Sequence, residues 1–429
     1  MTGAIIDDLV EGDRVEVTVG APAHGGHCVA RLGGPHGRVI FVRHALPGER
    51  VTAEITELHR GYLRADAVEI HEPSPDRVTP PCPYAHPGGC GGCDLQHASG
   101  EAQLRWKADV VREQLVRLAG LDPEGIFVRV EPLPAKDPLL GWRTRVRYAI
   151  DAAGRPGLLQ HRSHQVVPID RCRIAHPAIQ DLDVLDEDWP GVDAVQAVAS
   201  TGGDVAVLGR PSGTAGPAHG DDLGEAPEGG SLIRLAGPAE VTEQAAGRAW
   251  RIPPQGFWQV HPQAADTLVT AVLEMLRPAA GETTWDLYGG AGLFAAAIAG
   301  RTGARVTVVE SSAAGVAAAR ANLADLPHLD IVEARVEVAL SRRRVTGPVD
   351  LVVLDPPRAG AGARVVRAVA AARPRAVAYV ACDPAALARD LKTFRAEGWR
   401  VETVRAFDCF PMTQHVECVA HLTPPSGAR

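Results

Sequence analysis

The chain has 429 residues, a formal net charge of -8, and 45% apolar against 22% charged residues. That length buries a large core and accommodates two or three domains, and the composition excludes a disordered chain. The start, Met1-Thr2-Gly3-Ala4-Ile5-Ile6-Asp7-Asp8, lacks the cationic and apolar regions of a secretory signal, and no apolar run is long enough to span a bilayer; a cytoplasmic protein with no membrane partner is expected.

Residues 10–72 read as short strands. Val15 to Val19 and Val51 to Ile55 alternate, with Gly25, Gly26, Gly33, Gly34 and Pro47-Gly48 as turns, which predicts a small β-barrel. A Pro- and charge-rich linker follows over 71–81. Residues 98–119 carry a helical pattern, with Leu104, Val110, Val111, Leu115 and Leu118 as its apolar side. Strand character returns from Trp142 to Val167, where Val146, Tyr148 and Ile150 alternate. Residues 185–230 are dominated by Gly, Ala, Pro and acids and read as loop-rich, without a motif.

From about 251 strands and helices alternate, which predicts a doubly wound parallel sheet. Strand Thr283 to Tyr288 runs into Gly289-Gly290-Ala291-Gly292; Arg305 to Val309 ends at Glu310; Val349 to Leu354 ends at Asp355-Pro356-Pro357; Ala376 to Val380 ends at Ala381-Cys382. These residues mark carboxyl ends of strands, where such sheets bind ligands. The expected domains are therefore 1–73, a barrel; 74–250, a central domain; and 251–429, an α/β domain.

The glycine turn lets backbone approach a ligand, and an acid about 20 residues later can bind a ribose. A dinucleotide or S-adenosylmethionine would suit both; the stiff Asp355-Pro356-Pro357 loop, able to hold a planar base, favours the methyl donor. Cys382 lies in a loop before a helix expected near Pro384, whose amino end favours a thiolate. Glu417 is either a surface acid or a base. Cys409 and Cys418 lie in apolar segments and read as core. Eight cysteines in a cytoplasmic chain point to metal or catalysis. Cys82-x7-Cys90-x2-Cys93 with Cys172 supplies four soft ligands, for zinc or an iron–sulfur cluster, with flanking glycines to let the loop wrap. Arg143, Arg145 and Arg147; Arg171 and Arg173; and Arg342 to Arg344 each read alone as a solvated face, and together as a track for a phosphate backbone.

Over nearly its whole length the chain resembles the bacterial RNA 5-methyluridine methyltransferases that carry a TRAM domain and an iron–sulfur cluster. The resemblance rests on Cys90-Gly91-Gly92-Cys93-Asp94-Leu95-Gln96-His97, Phe257-Trp258-Gln259-Val260-His261, Asp286-Leu287-Tyr288-Gly289-Gly290-Ala291-Gly292, Asp355-Pro356-Pro357-Arg358-Ala359-Gly360, Ala381-Cys382-Asp383-Pro384 and Phe410 to Glu417. It implies a TRAM-like barrel, a central α+β iron–sulfur domain with a 4Fe-4S cluster on Cys82, Cys90, Cys93 and Cys172, and a Rossmann-like methyltransferase domain. It further implies donor binding by Gln259, Gly289, Gly292, Glu310 and Asp355, base stacking by Phe257, a Cys382 nucleophile and a Glu417 base. The family often has Cys at Gly289, Asn at His261 and Asn at Asp383; the last departure puts a negative charge beside the nucleophile. The expected activity is S-adenosylmethionine-dependent methylation of uridine C5 in structured RNA, ribosomal before transfer RNA, by a monomer. The rivals are a non-catalytic RNA-binding iron–sulfur protein and a dinucleotide-dependent oxidoreductase.

Overall fold

The computed structural model describes residues 9–213 and 232–425. Strands Arg14–Thr18, Pro22–Ala23, His27–Leu32, Arg38–Arg43, Arg50–Leu58 and Tyr62–Glu72 form one six-stranded sheet. Along Arg50–Leu58, Val51, Ala53 and Ile55 are buried and alternate with partly exposed neighbours. With Ile40, Val42, Leu63 and Ala65 they fill the barrel, as the period of two requires.

Helix Gly100–Arg117 starts at Ser99, whose side chain accepts from Ala102 N. Its two apolar sides face different domains. Ala102, Trp106 and Val110 join the barrel core, whereas Val111 and Leu115 join the core of the carboxyl-terminal domain. One helix thus fixes the barrel to that domain.

The central region is built on a second six-stranded sheet, in the order Val166–Pro168, Pro156–Leu159, Arg145–Ile150, Val192–Ala199, Val205–Pro211, Ile233–Ala236. Here the loop-rich reading of 185–230 needs correction: Val192–Ala199 and Val205–Pro211 are strands, the former inside the sheet and buried from Ala194 onward. A strand buried on both faces loses its alternation and reads as small-residue filler. Residues 214–230 of that stretch lie outside the described residues.

The carboxyl-terminal sheet has eight strands, ordered Leu329–Glu333, Val306–Glu310, Thr284–Leu287, Leu351–Leu354, Ala376–Ala381, Glu417–Thr423, Arg400–Asp408, Val130–Pro132. The first five are parallel, and Glu417–Thr423 is antiparallel to both its neighbours. Helices Ala264–Leu276, Leu293–Thr302 and Ala313–Asn322 pack in one core. Helices Gly362–Ala372 and Pro384–Ala396 pack in the other. The first five strands match the doubly wound parallel sheet expected from 251 onward, and the antiparallel Glu417–Thr423 departs from it. The sheet's last strand, Val130–Pro132, comes from the stretch assigned by sequence to the central domain and pairs with Arg400–Asp408; three residues are too few to display a period.

The loop before the final strand is held from several directions. Lys107 is fully buried; its Nζ donates to Asp408 Oδ1 at 2.5 Å and to the Phe410 carbonyl at 2.9 Å. Gln103 accepts from Met412 N, and Leu95 N donates to the Met412 carbonyl. Removing one member of a buried ion pair strands the other. Lys107→Met is therefore expected to cost about 3–5 kcal/mol, read as a lower urea midpoint; an unchanged midpoint would show that the pair is energetically neutral.

Candidate functional site

Strand order brings the marked residues together. Leu287 pairs with Val309 and with Leu354, so the Gly289 turn, Glu310 and Asp355 leave adjacent strands at one edge. Leu354 in turn pairs with Tyr379 on the next strand. Ala381 pairs with Cys418 in an antiparallel ladder. The ladder ends there: Cys382 is the first residue after one strand and Glu417 the first residue of the other. The antiparallel final strand therefore returns Glu417 to the same edge.

The glycine turn is a shaped cradle. A Cβ at Gly289 would lie 2.6 Å from Val308 Cγ1, and one at Gly292, where φ is +92°, would lie 2.4 Å from Leu323 Cδ1. Glu310 holds the turn, accepting from Gly290 N at 2.9 Å and Ser312 N at 2.6 Å. Asp286 accepts from Ala295 N in the first turn of the following helix, while its other oxygen is buried without a hydrogen-bond partner. Burial pushes the Asp286 carboxyl up to about 7, with Glu310 adding to the effect against the Ala295 bond. Burial likewise pushes Asp355 up to about 7, reinforced by Asp286 and Glu310. Glu417, 3% exposed, is raised well above the usual carboxylate range by burial and then by Asp355, with Arg358 opposing. Crowding holds these carboxyls back from ionising, and a cation brought among them would favour their charged forms.

Cys382 is half-buried and precedes helix Pro384–Ala396, which is capped by Asp383 Oδ1 accepting from Ala386 N at 2.6 Å. Asp383 Oδ2 lies 3.0 Å from His24 Nε2 of the barrel. Burial alone would raise the Asp383 carboxyl, but the His24 and Ala386 hydrogen bonds outweigh it and hold it low. The extra charge expected at this position is thus spent on a cap and a histidine. Asp390 on the same helix accepts from Ala361 N, Gly362 N and the Tyr379 hydroxyl, which fixes the loop after Asp355. Cys409 and Cys418 are fully buried in the two cores, as expected.

Cys382 opens on a cavity of about 300 Å³ between all three regions. The barrel contributes His24, His27, Phe41 and Arg64; Arg358, Gln414 and His415 face them. His161 and Arg162 come from the central sheet's loop. Burial and then the arginines push His27 down to about 2 and His161 to about 3, so the positive charge of this wall comes from arginine.

Phe257 is 63% exposed; Gln259 is half-buried. Neither lines the Cys382 cavity. Their segment is anchored by Arg145, which donates to the Pro254 and Gly256 carbonyls, and by Thr144, whose amide and hydroxyl donate to the Val260 carbonyl. His261 is buried and stacked near Trp142. Arg143 and Arg145 are buried rather than solvated, a correction to the reading of that cluster as a surface track. Arg342 to Arg344 are exposed.

Cys82, Cys90, Cys93 and Cys172 line one cavity of about 130 Å³ together with Arg143, Arg171 and Arg173. Gly92 N points to Cys90 Sγ at 3.4 Å. Burial pushes Cys90 up to about 12 against that bond, and burial raises Cys93 and Cys172 as well. Among the described residues, no group of three or more His, Cys, Asp or Glu side chains is arranged to hold a metal ion. The four thiols thus share a cavity without converging on one point. No helix among the described residues is long and apolar enough to cross a membrane.

Residues 9–68 match the family model described as TRAM domain, and 344–424 match tRNA (Uracil-5-)-methyltransferase. A protein of Streptomyces avermitilis described as an uncharacterized RNA methyltransferase is 50% identical over 430 residues, 96% of this chain and 99% of that one. One of Streptomyces coelicolor with the same description is 50% identical over 432 residues, 96% and 93% of the two chains. The crystal structure of Pyrococcus abyssi tRNA (uracil-54, C5)-methyltransferase in complex with S-adenosyl-L-homocysteine is similar with a TM-score of 0.70 at 24% identity, over 95% of this chain and 99% of that one. This last likeness establishes a shared fold.

Proposed function

Because the chain belongs to the family of TRAM-domain RNA (uracil-5-)-methyltransferases, we propose that it methylates C5 of a uridine in structured RNA, using S-adenosylmethionine and a covalent cysteine adduct. The observation that supports this reading is the strand order, which brings the ends that carry Cys382, Glu417, Asp355 and the glycine turn to one edge of the sheet. A non-catalytic binding module or a dinucleotide oxidoreductase leaves Cys382 and Glu417 without a purpose.

Uracil C5 is a poor nucleophile. In the proposed scheme the Cys382 thiolate adds to C6, forming the S–C6 bond and placing the electron pair at C5. S-adenosylmethionine, when bound, supplies an electrophilic methyl group. After C5 is alkylated, Glu417 accepts its proton, the C5–C6 double bond re-forms and sulfur leaves as thiolate. A free thiol titrates near about 8.5, so the site must aid ionisation; the amino end of helix Pro384–Ala396 has the right sign for this. Gln259, Gly289, Gly292, Glu310 and Asp355 are the proposed donor contacts, and Phe257 is proposed to stack on a displaced base. The glycine cradle and the crowded acids fit a donor that carries a ribose and a cationic sulfur.

Asp286 and Asp355 are held near 7 by burial. Raising the pH through 7 ionises them and increases attraction for a sulfonium. S-adenosylmethionine is expected to bind several-fold more tightly at pH 8 than at pH 6, with a smaller change for the uncharged thioether S-adenosylhomocysteine. Calorimetric titrations at both pH values check this; parallel pH dependences for the two ligands would contradict it.

For Cys82, Cys90, Cys93 and Cys172 we propose a 4Fe-4S cluster. A cubane needs its four thiolates spread around a polynuclear core, whereas zinc draws them to about 2.3 Å from one point. The shared cavity brings four soft ligands together, and the likeness of the segment Cys90-Gly91-Gly92-Cys93 to the family's cluster loop is what favours the cluster. Residues 74–250 are then a central iron–sulfur domain, between a barrel over 1–73 and a methyltransferase domain over 251–429. Anaerobic reconstitution with iron and sulfide is expected to yield a brown protein with about four irons per chain, and Cys93→Ser to prevent it; zinc uptake with no colour would overturn the assignment.

Ribosomal 23S RNA is the proposed substrate, on the resemblance of the four-cysteine set and barrel to the ribosomal branch. Transfer RNA is the second reading, supported by the description of the family model at 344–424 and by the Pyrococcus abyssi enzyme. Mapping 5-methyluridine in RNA from cells lacking the protein tests both: loss of a 23S site supports the first, loss confined to tRNA supports the second, and no loss anywhere contradicts the function.

A further inference from the structure

The loop that joins barrel strands Pro22–Ala23 and His27–Leu32 reaches both segments that carry the proposed chemistry. His24 Nε2 lies 3.0 Å from Asp383 Oδ2, next to Cys382. Gly25 N donates to Gln414 Oε1 at 3.2 Å, three residues before Glu417. Gly26, at φ +77°, lets the loop close onto Asp94, and a Cβ there would lie 2.9 Å from Asp94 Cβ. Asp94 in turn accepts from Gln414 N at 3.1 Å. Two consecutive barrel residues thus join the nucleophile segment to the base segment.

The choice of Asp at 383 is explained by this contact. One carboxylate oxygen caps the helix at Ala386 N, and the other is left to accept from His24. An Asn would cap equally well but would turn an N–H₂ group toward His24. The cap fixes the first turn of Pro384–Ala396, and Cys382 is the residue directly before it. The Asp383 side chain is thus one peptide unit from Cys382 and placed to act on the position of Sγ.

We propose that His24 is a positioning residue for Cys382: through Asp383 it holds the thiol at the angle needed to add to C6. This rests on the function proposed above and adds to it a role for the barrel beyond RNA contact. His24 also borders the Cys382 cavity, so the rival role is a direct contact to RNA, and the two separate in kinetics. A positioning residue affects kcat and the rate of adduct formation; an RNA contact affects KM.

The test uses the full chain, whole RNA from cells lacking the protein, and the same RNA with 5-fluorouridine incorporated. His24→Ala is expected to slow covalent trapping on the fluorinated RNA by about ten- to a hundredfold, as misplacement of a reacting group does. kcat should fall in parallel, with KM and S-adenosylmethionine affinity within about twofold of the parent. Gln places an N–H donor near the position of Nε2, so His24→Gln is expected to recover most of the trapping rate. Thermal melting and donor binding of both variants report that the fold is retained. The proposal is overturned if His24→Ala traps at the parental rate, if KM rises while kcat holds, or if His24→Gln is as slow as His24→Ala. A parent that forms no adduct, while Cys382→Ala still methylates, removes the functional reading itself and the role of His24 with it.

Discussion

Cys382→Ala is expected to abolish methylation while leaving S-adenosylmethionine binding within about twofold. The separation follows from where the groups sit. The glycine cradle, Glu310 and Asp355 stand on strands Thr284–Leu287, Val306–Glu310 and Leu351–Leu354 or directly after them. Cys382 follows Ala376–Ala381, one strand further out. Its side chain is half-buried, so truncation to Ala leaves no large void. Without the sulfur adduct, C5 has no electron pair to offer, and the remaining groups can orient the ring but cannot activate it. Parental protein with 5-fluorouridine RNA is expected to form a complex stable to denaturing electrophoresis, because fluorine at C5 leaves Glu417 no proton to take. Cys382→Ala should form none. A Cys382→Ala variant that methylates RNA at the parental rate would refute covalent activation, and so would clean release of methylated fluorinated product.

Much of this site was legible because its parts fall at strand ends, and strand ends are marked by local changes of residue type. Gly289 to Gly292, Asp355-Pro356-Pro357 and Cys382-Asp383-Pro384 each break a hydrophobic run, so the doubly wound sheet and the edge that carries the site followed from one pattern. What escaped was non-local. His24 and Asp383 are 359 residues apart, and Lys107 and Asp408 are 301 apart; a lone His or Lys shows nothing of a partner so distant. Arg145 read as solvated because its acceptors lie elsewhere, at Pro254, Gly256 and Glu243, while Arg143 is buried with the Arg145 carbonyl as acceptor. Their neighbours Val146 and Tyr148, both buried, were the available hint that this strand is covered. Val192–Ala199 was hidden for the opposite reason, since burial on both faces removes the alternation that identifies a strand. Glu417 stood undecided between surface acid and base. Burial of Glu417 removes the surface reading, and the register with Ala376–Ala381 turns this late strand back to the edge where Cys382 emerges.

Glu417→Gln is expected to stop the reaction one step later than Cys382→Ala. The thiolate can still add and C5 can still be alkylated, but the C5 proton has no acceptor, so sulfur cannot leave. Methylated RNA linked to protein should accumulate under native conditions with unmodified uridine, while turnover falls by about 10²–10⁴-fold, the range for loss of a general base. Radiolabelled methyl and RNA co-migrating with the protein on a denaturing gel would mark that species. Glu417→Gln with parental turnover, or with no adduct at all, would remove Glu417 from the role of base. The same substitution has a stability consequence of defined sign. Burial and Asp355 raise the folded-state pKa of Glu417 above its unfolded value, so the unfolded chain gives up this proton at a lower pH than the folded one. Its contribution is favourable below the unfolded pKa of about 4.3 and is lost as pH rises through the folded value. An isosteric amide removes that loss. Glu417→Gln is therefore expected to melt at or above the parental temperature at pH 8, a gain in stability at the expense of catalysis of the kind expected where an enzyme keeps a strained, desolvated base.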